Sequence, residues 1–464
     1  MTRDYRPVSY WLETAGDDLT PRPPLDGSVE CDVAILGAGY TGLWTAYYLL
    51  KSNPGLRVVI VEREIAGFGA SGRNGGWCSP GLNISLERLE RLHGRDAAIA
   101  MYGAMFGAVD EIERVVTEER LDVDWRRGGQ LIVARGPQQL PALEATQREH
   151  EAYGFGDRYT VLDAAATSER VRVPGALGGI YTPDCAVIQP AKLARRLARL
   201  VERMGATIVE GTEATDYRPA SPGVRAALIT PMGEVTADAV VLAGEAYLTR
   251  LRRLHRQLVP LWSLIVLTAP LSEADWAEIG WQAHECLASM RLSVDYLSRT
   301  SDGRILFGGR GAPYRFGSPI RDEYDRHDPT HEMLRGMARS WFPVLRDVEF
   351  THAWGGPLGM PRDWHPTFSF DRRSGIATAR GYVGHGVSTS NLAGRTVADL
   401  IGERKTELTE LPFVGHRSRN WEPEPFRWIG VRFAQEALGR VDARSDATGR
   451  PPSGRSLAER IARH

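Results

Sequence analysis

The feature that most restricts the fold of this chain is the glycine turn at residues 37–42 (GAGYTG), which stands between an apolar segment and a helical pattern. Residues 31–36 have the continuous apolar character of a buried strand, and residues 41–51 carry apolar side chains at helical spacing. Residues 56–61 form a second apolar strand. A strand, a glycine turn, a helix and a strand in this order predict parallel strands joined by a right-handed crossover.

The spacing of the three glycines predicts a dinucleotide site. Gly37 suits the tight turn, Gly39 lets the backbone approach a pyrophosphate, and Gly42 lets the helix approach the strand. The helix N-terminus offers unpaired N–H groups and a positive dipole end to phosphates. Glu62 ends the second strand, where a carboxylate accepts hydrogen bonds from a ribose diol. The alternative is a glycine turn without a ligand and a surface glutamate.

The next segment favours FAD over NAD. Residues 67–76 (GFGASGRNGG) are so rich in glycine that the backbone can pass close to a flat, phosphorylated ligand. Ser71, Arg73 and Asn74 supply polar contacts within this segment.

Charge and cysteine usage exclude several other classes of protein. The formal net charge of −1 gives no basic field for a nucleic acid. The most apolar stretch, residues 258–271, contains two prolines and is too short to cross a membrane, and the N-terminus lacks a secretory signal pattern. We therefore expect a cytoplasmic protein that binds neither nucleic acid nor membrane. The four cysteines are isolated, which predicts no disulfide framework and no metal site: Cys31, Cys78, Cys185 and Cys286.

Farther along the chain, residues 190–205 predict an amphipathic helix, and residues 224–229 and 235–242 predict strands. Residues 255–350 alternate strand signals with polar loops. In the C-terminal part a helix is expected near residues 430–438, and a poorly ordered terminus after about Asp442.

These motifs carry a family resemblance. The segments VAILGAGYTGLWTAYYL, VERE and GFGASGRNGG resemble the D-amino-acid oxidase superfamily of flavoenzymes, within it the branch of gamma-glutamylputrescine oxidase-like amine oxidoreductases. Three C-terminal segments agree in the same order: WGGP from residue 354, PRDWHP from residue 361 and GYVGHG from residue 381. The resemblance extends over residues 30–402.

The resemblance implies an α/β fold, in which a Rossmann-like FAD-binding domain is combined with a discontinuous second domain built on a mixed β-sheet. The implied ranges are an N-terminal arm (1–30), the FAD-binding domain (31–90, 165–250 and 350–402), the substrate domain (91–164 and 251–349) and a C-terminal extension (403–464).

The resemblance also implies the FAD contacts. Residues 384–386 precede a helix over residues 388–401, whose N-terminus would stabilise negative charge at the flavin pyrimidine edge; the alternative is an ordinary turn. Relatives that attach FAD covalently use a cysteine in the region matching residues 356–367, where this chain has none, so noncovalent FAD is expected, with Cys78 the cysteine nearest a flavin motif. The implied contacts are Gly37, Gly39, Tyr40, Thr41, Gly42, Glu62, Arg63, Ala70, Ser71, Arg73, Asn74, Gly75, Gly76, Ala214, Gly244, Gly384, His385, Gly386, Val387 and Ser388.

The implied reaction is hydride transfer from a carbon beside an amine nitrogen to flavin N5. The imine that forms is hydrolysed to a carbonyl, with O₂ as acceptor and H₂O₂ as product. An apolar pocket would keep the amine neutral. Candidates for the catalytic centre are His385, Trp77, Tyr296 and Trp354, with core packing as the alternative for each aromatic.

Departures from the relatives leave alternatives open. The positions where relatives hold a substrate carboxylate correspond to Ser388 and the neighbourhood of Cys78, which favours a small-molecule amine over a small amino acid. Arg299 or Arg310 is a carboxylate contact or, more simply, a surface charge. No lysine lies where relatives use one with O₂; Lys192 reads as a solvated charge. A dehydrogenase with another acceptor, an NADPH-dependent flavin monooxygenase and a flavin-binding protein without turnover remain alternatives, and the oligomeric state is open.

Overall fold

The computed structural model describes residues 3–452, which form a parallel sheet, a large mixed sheet and two smaller sheets. The strands are β1 (Val29–Glu30), β2 (Val33–Leu36), β3 (Val58–Val61), β4 (Trp77–Cys78), β5 (Gln130–Ala134), β6 (Thr160–Asp163), β7 (Gly178–Thr182), β8 (Ala186–Val187), β9 (Thr207–Val209), β10 (Asp216–Arg218), β11 (Ala226–Thr230), β12 (Gly233–Ala237), β13 (Ala239–Leu242), β14 (Val259–Thr268), β15 (Cys286–Ser289), β16 (Asp295–Arg299), β17 (Ile305–Arg310), β18 (Phe350–Met360), β19 (Thr367–Asp371) and β20 (Ile376–Arg380). The α-helices are α1 (Tyr10–Glu13), α2 (Tyr40–Ser52), α3 (Leu86–His93), α4 (Arg95–Glu118), α5 (Leu140–Ala152), α6 (Ala164–Arg170), α7 (Pro190–Arg203), α8 (Glu273–Ile279), α9 (Asp328–Trp341), α10 (Gly386–Ile401) and α11 (Phe426–Thr448).

The parallel sheet is built around the predicted strand–turn–helix–strand unit β2–α2–β3. Its strand order is β19-β20-β13-β2-β3-β9, in which five strands are parallel and the edge strand β19 is antiparallel. The strands β2 and β13 are buried along almost their whole length, as expected for a sheet covered on both faces. The carboxyl ends of β2, β3, β13 and β20 therefore share one edge, where α/β proteins bind their ligands.

Two helices that begin at this edge pack directly against each other. The Cβ of an alanine at Gly394 in α10 would lie 2.6 Å from the Cβ of Trp44 in α2, so only glycine permits this spacing. Trp44 is fully buried in the main hydrophobic core. Because α2 follows β2 and α10 follows β20, and these strands run parallel in one sheet, both N-termini lie at the same end of the sheet.

The second sheet has eight strands in the order β18-β14-β17-β16-β15-β5-β7-β6, with one parallel pair, β15 and β5. Its own core contains the buried tryptophans Trp281 and Trp341. Ser263 pairs with Arg310, and Tyr296 pairs with Gly308, so the side chains of Ser263, Tyr296 and Arg310 share one face of this sheet. The expected α/β fold, with a Rossmann-like part and a second part built on a mixed sheet, is confirmed.

The structure corrects the predicted strand over residues 235–242. The chain divides there into β12 and β13, which belong to different sheets, because the backbone N–H groups of Asp238 and Ala239 both donate to the carbonyl of Asp32 and turn the chain. The run looked like one strand because both halves contain buried residues, which alternate with partly exposed ones in β12 and are continuous in β13.

The structure contains more helix than the sequence predicts. Residues 255–350 contain α8 and α9 in addition to strands, and the predicted short C-terminal helix extends as α11 to Thr448, beyond the expected order limit at Asp442. Asp442 accepts hydrogen bonds from the backbone N–H groups of Leu292 and Ser293, which ties α11 to the loop before β16. The final part of the predicted disordered terminus, residues 453–464, lies outside the described residues.

The predicted domain boundaries remain a prediction. Strands β7 and β18 pair within the eight-stranded sheet, although the predicted ranges assign them to the FAD-binding domain. The N-terminal arm packs onto the body of the protein through buried Tyr10, Trp11 and Leu12. Among residues 3–452, no helix combines the length and the apolar character needed to cross a bilayer.

Candidate cofactor and substrate site

The glycine turn between β2 and α2 has the geometry that the sequence predicts for a dinucleotide. Gly37 has φ +101°, and a Cβ there would lie 3.0 Å from the carbonyl oxygen of Ala243. A Cβ on Gly42 would overlap the carbonyl oxygen of Gly37. Helix α2 starts after Gly39 with no side-chain cap, which leaves N–H groups of its first turn directed at the sheet edge.

Glu62 lies where a ribose-binding carboxylate is expected. One carboxylate oxygen accepts the N–H of Ala38 at 2.8 Å, and the other accepts the N–H of Glu64 at 2.9 Å. Burial raises the pKa of Glu62 to about 7, although both hydrogen bonds act in the opposite direction. Each carboxylate oxygen has further lone pairs for a ligand hydroxyl.

The loop over residues 67–76 is held in place by other parts of the chain. The Ser71 hydroxyl accepts the N–H of Tyr40 at 2.9 Å, which joins this loop to the start of α2. The Trp11 indole donates to the carbonyl of Asn74 at 2.8 Å, and the Ser298 hydroxyl donates to the carbonyl of Gly75 at 2.7 Å. The N-terminal arm and the eight-stranded sheet thus both fix the path of this loop.

Arg73 connects this loop to the second sheet, a role that its position in the sequence did not indicate. Its buried guanidinium pairs with Asp325 and donates to the carbonyl of Phe68 at 2.7 Å, while Nη2 has no partner within residues 3–452. Asp325 also accepts a hydrogen bond from the Trp262 indole at 3.0 Å, and its burial raises its pKa. Arg73 therefore joins the loop to the second sheet.

The second predicted flavin element is the turn before α10. Gly384 has φ +106°, and α10 begins after His385 without a side-chain cap. The Thr41 and Tyr382 hydroxyls are 2.7 Å apart, so the beginnings of α2 and α10 are hydrogen-bonded to each other. The two uncapped helix ends both offer positive dipole ends to one ligand.

Glu245, which follows β13, was missed by the sequence analysis. Its carboxylate accepts three backbone N–H groups, from Gly359 at 2.9 Å, Gly381 at 2.7 Å and Tyr382 at 3.2 Å. It has φ +46°, and burial raises its pKa. A lone glutamate after a strand carries no sequence signal for this role.

The remaining predicted flavin contacts lie around the same edge, with one displaced outward. Gly76 has φ +78°, and the Asn74 side chain accepts its N–H at 2.9 Å. Ser388 donates to the carbonyl of Ser79. Arg63 is exposed and lies near Glu64 and Glu213 on the surface, beside the loop that carries Ala214. Ala70 lies within the loop over residues 67–76, Gly244 lies just after β13, and Gly386 and Val387 begin α10.

Three of the four predicted catalytic side chains are brought together near residues 75–81. Tyr296 lies against Gly75 and Gly308, where a Cβ on either glycine would overlap its ring. Trp77 packs edge-on to Tyr296 with ring centroids 6.0 Å apart. The ring of His385 packs against Gly81.

The pKa of His385 falls to about 4 because of burial and, secondarily, the charge of Arg310. The ring is therefore neutral at ordinary pH.

Trp354 is the fourth predicted residue. It is buried in a neighbouring cluster with Trp11 and donates to the carbonyl of Arg73 at 2.9 Å. Its contacts are those of a packing and positioning residue.

Arg310 extends from the end of β17 toward the glycine turn before α10. Its Nη2 lies 3.5 Å from the carbonyl oxygen of Val383, and its guanidinium is 5.7 Å from the centroid of the Trp364 ring. Burial lowers its pKa, and no carboxylate among the described residues forms an ion pair with it. An enclosed cation without an anion is costly, and such a group is a natural partner for an anionic ligand.

The other two cations considered from sequence have protein partners instead. Arg299 donates to the carbonyl of Trp281 and lies 3.9 Å from the centroid of the Trp276 ring. Lys192 bonds to Asp122 and Asp124 at the surface. Lys192 is therefore already held by two carboxylates. Arg299 has no carboxylate partner among residues 3–452, but it lies three residues from Tyr296 along β16 and so on the opposite face of the sheet, away from the predicted site.

The residues present fit a bound FAD. The close-approach glycines, the carboxylate of Glu62 and two uncapped helix starts lie on one sheet edge, and the aromatic residues Trp77 and Tyr296 close the side toward the second sheet. The individual contacts with the cofactor remain predictions.

Comparison with known proteins agrees with this geometry. The family model described as FAD dependent oxidoreductase (DAO) matches residues 32–400. A gamma-glutamylputrescine oxidoreductase of Escherichia coli K12 is 31% identical over 433 residues, which cover 92% of this chain and 96% of that protein. A glycine oxidase structure from Geobacillus kaustophilus has a TM-score of 0.72 at 23% identity, covering 84% and 100% of the two chains. An L-proline dehydrogenase structure from P. horikoshii has a TM-score of 0.68 at 18% identity, covering 84% and 96%.

Proposed function

The chain belongs to the DAO family of FAD-dependent oxidoreductases, and from that premise we propose that it oxidises the C–N bond of an amine that also carries a carboxylate, with O₂ as the electron acceptor. FAD is its cofactor, and the activity of the family is the oxidation of amines or amino acids. For a primary amine, one amine, one O₂ and one water yield one carbonyl compound, one ammonia and one H₂O₂.

The single observation that carries the choice of substrate is the unpaired Arg310. Its guanidinium lies on the same sheet face as Tyr296, beside the turn that begins α10. A planar guanidinium binds a carboxylate through two parallel hydrogen bonds. The sequence alone favoured an amine without a carboxylate, and the enclosed position of Arg310 changes that preference.

The named substrate of the Escherichia coli relative suits this arrangement. Gamma-glutamylputrescine has a carboxylate in its glutamyl part and a free amine at its far end. We propose a substrate of this chemical type for this chain, in which the carboxylate binds Arg310 and the amine end reaches the cofactor.

The aromatic residues have a separate task at the amine end. An ammonium cannot release hydride from the adjacent carbon, so the amine must be neutral when it reacts. The rings of Trp77 and Tyr296 form an apolar wall that disfavours the charged form of the amine. His385 is neutral because its pKa is near 4, so it adds no second positive charge. These residues therefore orient the substrate and exclude water.

The cofactor is held by the glycine turn at residues 37–42, by Glu62 and by the turn at residues 384–388 in this proposal. Bound FAD supplies the two-electron acceptor that no side chain provides. The N-terminus of α10 then stabilises negative charge near the turn. We propose that FAD is noncovalent, since Cys78 is buried on β4 and burial raises its pKa far above the ordinary value.

The test is an anaerobic titration of the flavin-containing protein with a matched pair of amines. Gamma-glutamylputrescine and putrescine share a terminal amine, but only the first has a carboxylate. We expect the first to bleach the flavin at a much lower concentration. Efficient bleaching by putrescine alone would refute the role of Arg310, and no bleaching by any amine would refute the proposed activity.

An Arg310→Met variant sharpens the test. Truncating one partner of an enclosed, hydrogen-bonded charge pair costs about 2–5 kcal/mol, so the concentration needed for bleaching should rise by about 30-fold or more. Arg310→Lys keeps the charge and should lose less. The response to putrescine should change little, because its binding does not involve a carboxylate.

The acceptor is tested separately by admitting air to the reduced protein. One H₂O₂ per amine oxidised is expected. Stoichiometric reduction of an artificial dye without peroxide would replace O₂ by another acceptor and leave the amine chemistry intact. Rapid flavin reduction by NADPH without an amine would instead favour a monooxygenase.

A further inference from the structure

Three side chains with metal-ligating atoms meet where the C-terminal extension crosses the loop between β18 and β19. Asp363 and His365 belong to that loop, and His416 comes from the extension. One donor atom from each residue lies within 4.8 Å of the other two. His416 Nε2 is already 2.8 Å from a carboxylate oxygen of Asp363.

His365 supplies an independent sign that a ligand belongs here. The residue is 4% exposed, and its buried Nε2 atom has no hydrogen-bond partner among residues 3–452. Its ring centroid is 5.2 Å from that of His416. Buried imidazole nitrogens are normally satisfied, and an unpaired one beside two ligating groups is explained by an ion.

The surrounding hydrogen bonds prepare Asp363 for this task. Its Oδ1 atom accepts the Ser418 hydroxyl at 2.6 Å and the N–H of His365 at 3.2 Å. These bonds fix the carboxylate and leave Oδ2 facing His416. Outer hydrogen bonds of this kind orient the carboxylate ligands of metal ions.

We propose that Asp363, His365 and His416 bind one divalent cation of the zinc type. Two imidazoles and one carboxylate are a ligand set that Zn²⁺ accepts, with water in the fourth position. Ligands of a tetrahedral zinc lie about 3.3 Å apart, since each is about 2.0–2.1 Å from the metal. Small side-chain rotations bring the three donors to that spacing.

The cation joins the extension to the loop that carries Trp364. That residue lies between the two loop ligands with φ +66°, and its ring faces the Arg310 guanidinium. The site is therefore structural: it fixes the extension on the body of the enzyme and steadies one neighbour of Arg310. It is separate from the chemistry of amine oxidation.

The experiment uses the full-length, flavin-containing protein, first treated with a chelator and then dialysed. Titration with ZnCl₂ in a calorimeter should show one high-affinity site per chain. The thermal midpoint should rise with Zn²⁺ concentration, because the ion binds only the folded site. No site in the wild-type protein would overturn the proposal.

Two variants test the assignment of ligands. His416→Ala removes a partly exposed ligand and should weaken Zn²⁺ binding at least tenfold and abolish the thermal shift. His352→Ala is the matched control, because His352 forms a similar pair with Glu13 at 3.2 Å but belongs to no three-residue cluster among the described residues. Equal Zn²⁺ affinity of the His416→Ala and wild-type proteins would refute the site. A His416→Ala protein that does not fold is replaced by Asp363→Asn, with the same loss expected.

Discussion

Substitution of Glu245 tests how much its buried carboxylate contributes to the stability of the fold. It accepts three buried backbone N–H groups, which belong to Gly359, Gly381 and Tyr382. A buried donor that loses its partner costs about 1–3 kcal/mol, so Glu245→Ala, which leaves all three unpaired, has a gross cost of about 3–9 kcal/mol.

Two effects reduce that gross cost. Burial raises the pKa of Glu245, so the variant no longer has to bury a charge. Water can also enter the space that the side chain leaves and reach some of the donors. We therefore expect a net loss of about 3–5 kcal/mol for Glu245→Ala. Glu245→Gln keeps one acceptor oxygen but turns an NH₂ group toward a donor, so its expected loss is smaller, about 1–3 kcal/mol.

The assay is urea unfolding of the flavin-free protein, followed by tryptophan fluorescence, with the midpoint and the slope reported together. The control is Glu234→Gln, the same substitution at a half-exposed residue paired with Arg218, where about 1 kcal/mol or less is expected. Flavin content is a second readout, because Gly381 and Tyr382 lead into the turn before α10. If the unfolding free energy of Glu245→Ala lies within about 1 kcal/mol of the wild-type value, the reasoning is wrong.

Three further results are expected. Since the folded pKa of Glu62 is about 7 and the usual value is 4.5, this group stabilises the flavin-free fold fully below about pH 4.5 and loses that contribution, roughly 3 kcal/mol, as pH rises through 7. In Glu62→Gln, the urea midpoint should depend less on pH between 4.5 and 7. An unchanged pH dependence would contradict the assignment of this effect to Glu62. Asp325→Asn should cost about 3–5 kcal/mol in unfolding free energy, because it leaves the buried Arg73 charge without its partner, whereas Asp322→Asn, at an exposed pair, should cost about 1 kcal/mol or less. Acid precipitation should release all flavin into the supernatant, both for wild type and for Cys78→Ser; flavin that stays with the pellet would indicate a covalent link.

The parts of the fold that follow local rules could be predicted from the sequence. The turn at residues 37–42, helix α2 and strand β3 each carry their own pattern of glycines and apolar residues, so the Rossmann-like unit was evident. The division of residues 235–242 into two strands was not evident. It depends on the backbone bonds of Asp238 and Ala239 to Asp32, about two hundred residues earlier in the chain.

The candidate site depends even more on contacts between residues that are far apart in the sequence. Arg310 and Arg299 both end strands in the same sheet, and nothing local separates the arginine that packs on Trp276 from the one that lies beside the turn before α10. Likewise, His416 is remote in sequence from Asp363, so no ligand spacing could be recognised. Long-range pairing decides which charged groups are satisfied, and that information exists only in the folded chain.

The hydrogen bond between Thr41 and Tyr382 has a consequence for how this enzyme matures in the cell. The two hydroxyls are 341 positions apart, and they join the two helix starts that face the ligand. Most of the chain must therefore be synthesised before the N-termini of α2 and α10 can both be present. We therefore expect a chain that ends before Gly386 to lack the start of α10 and to bind flavin much more weakly than the whole chain.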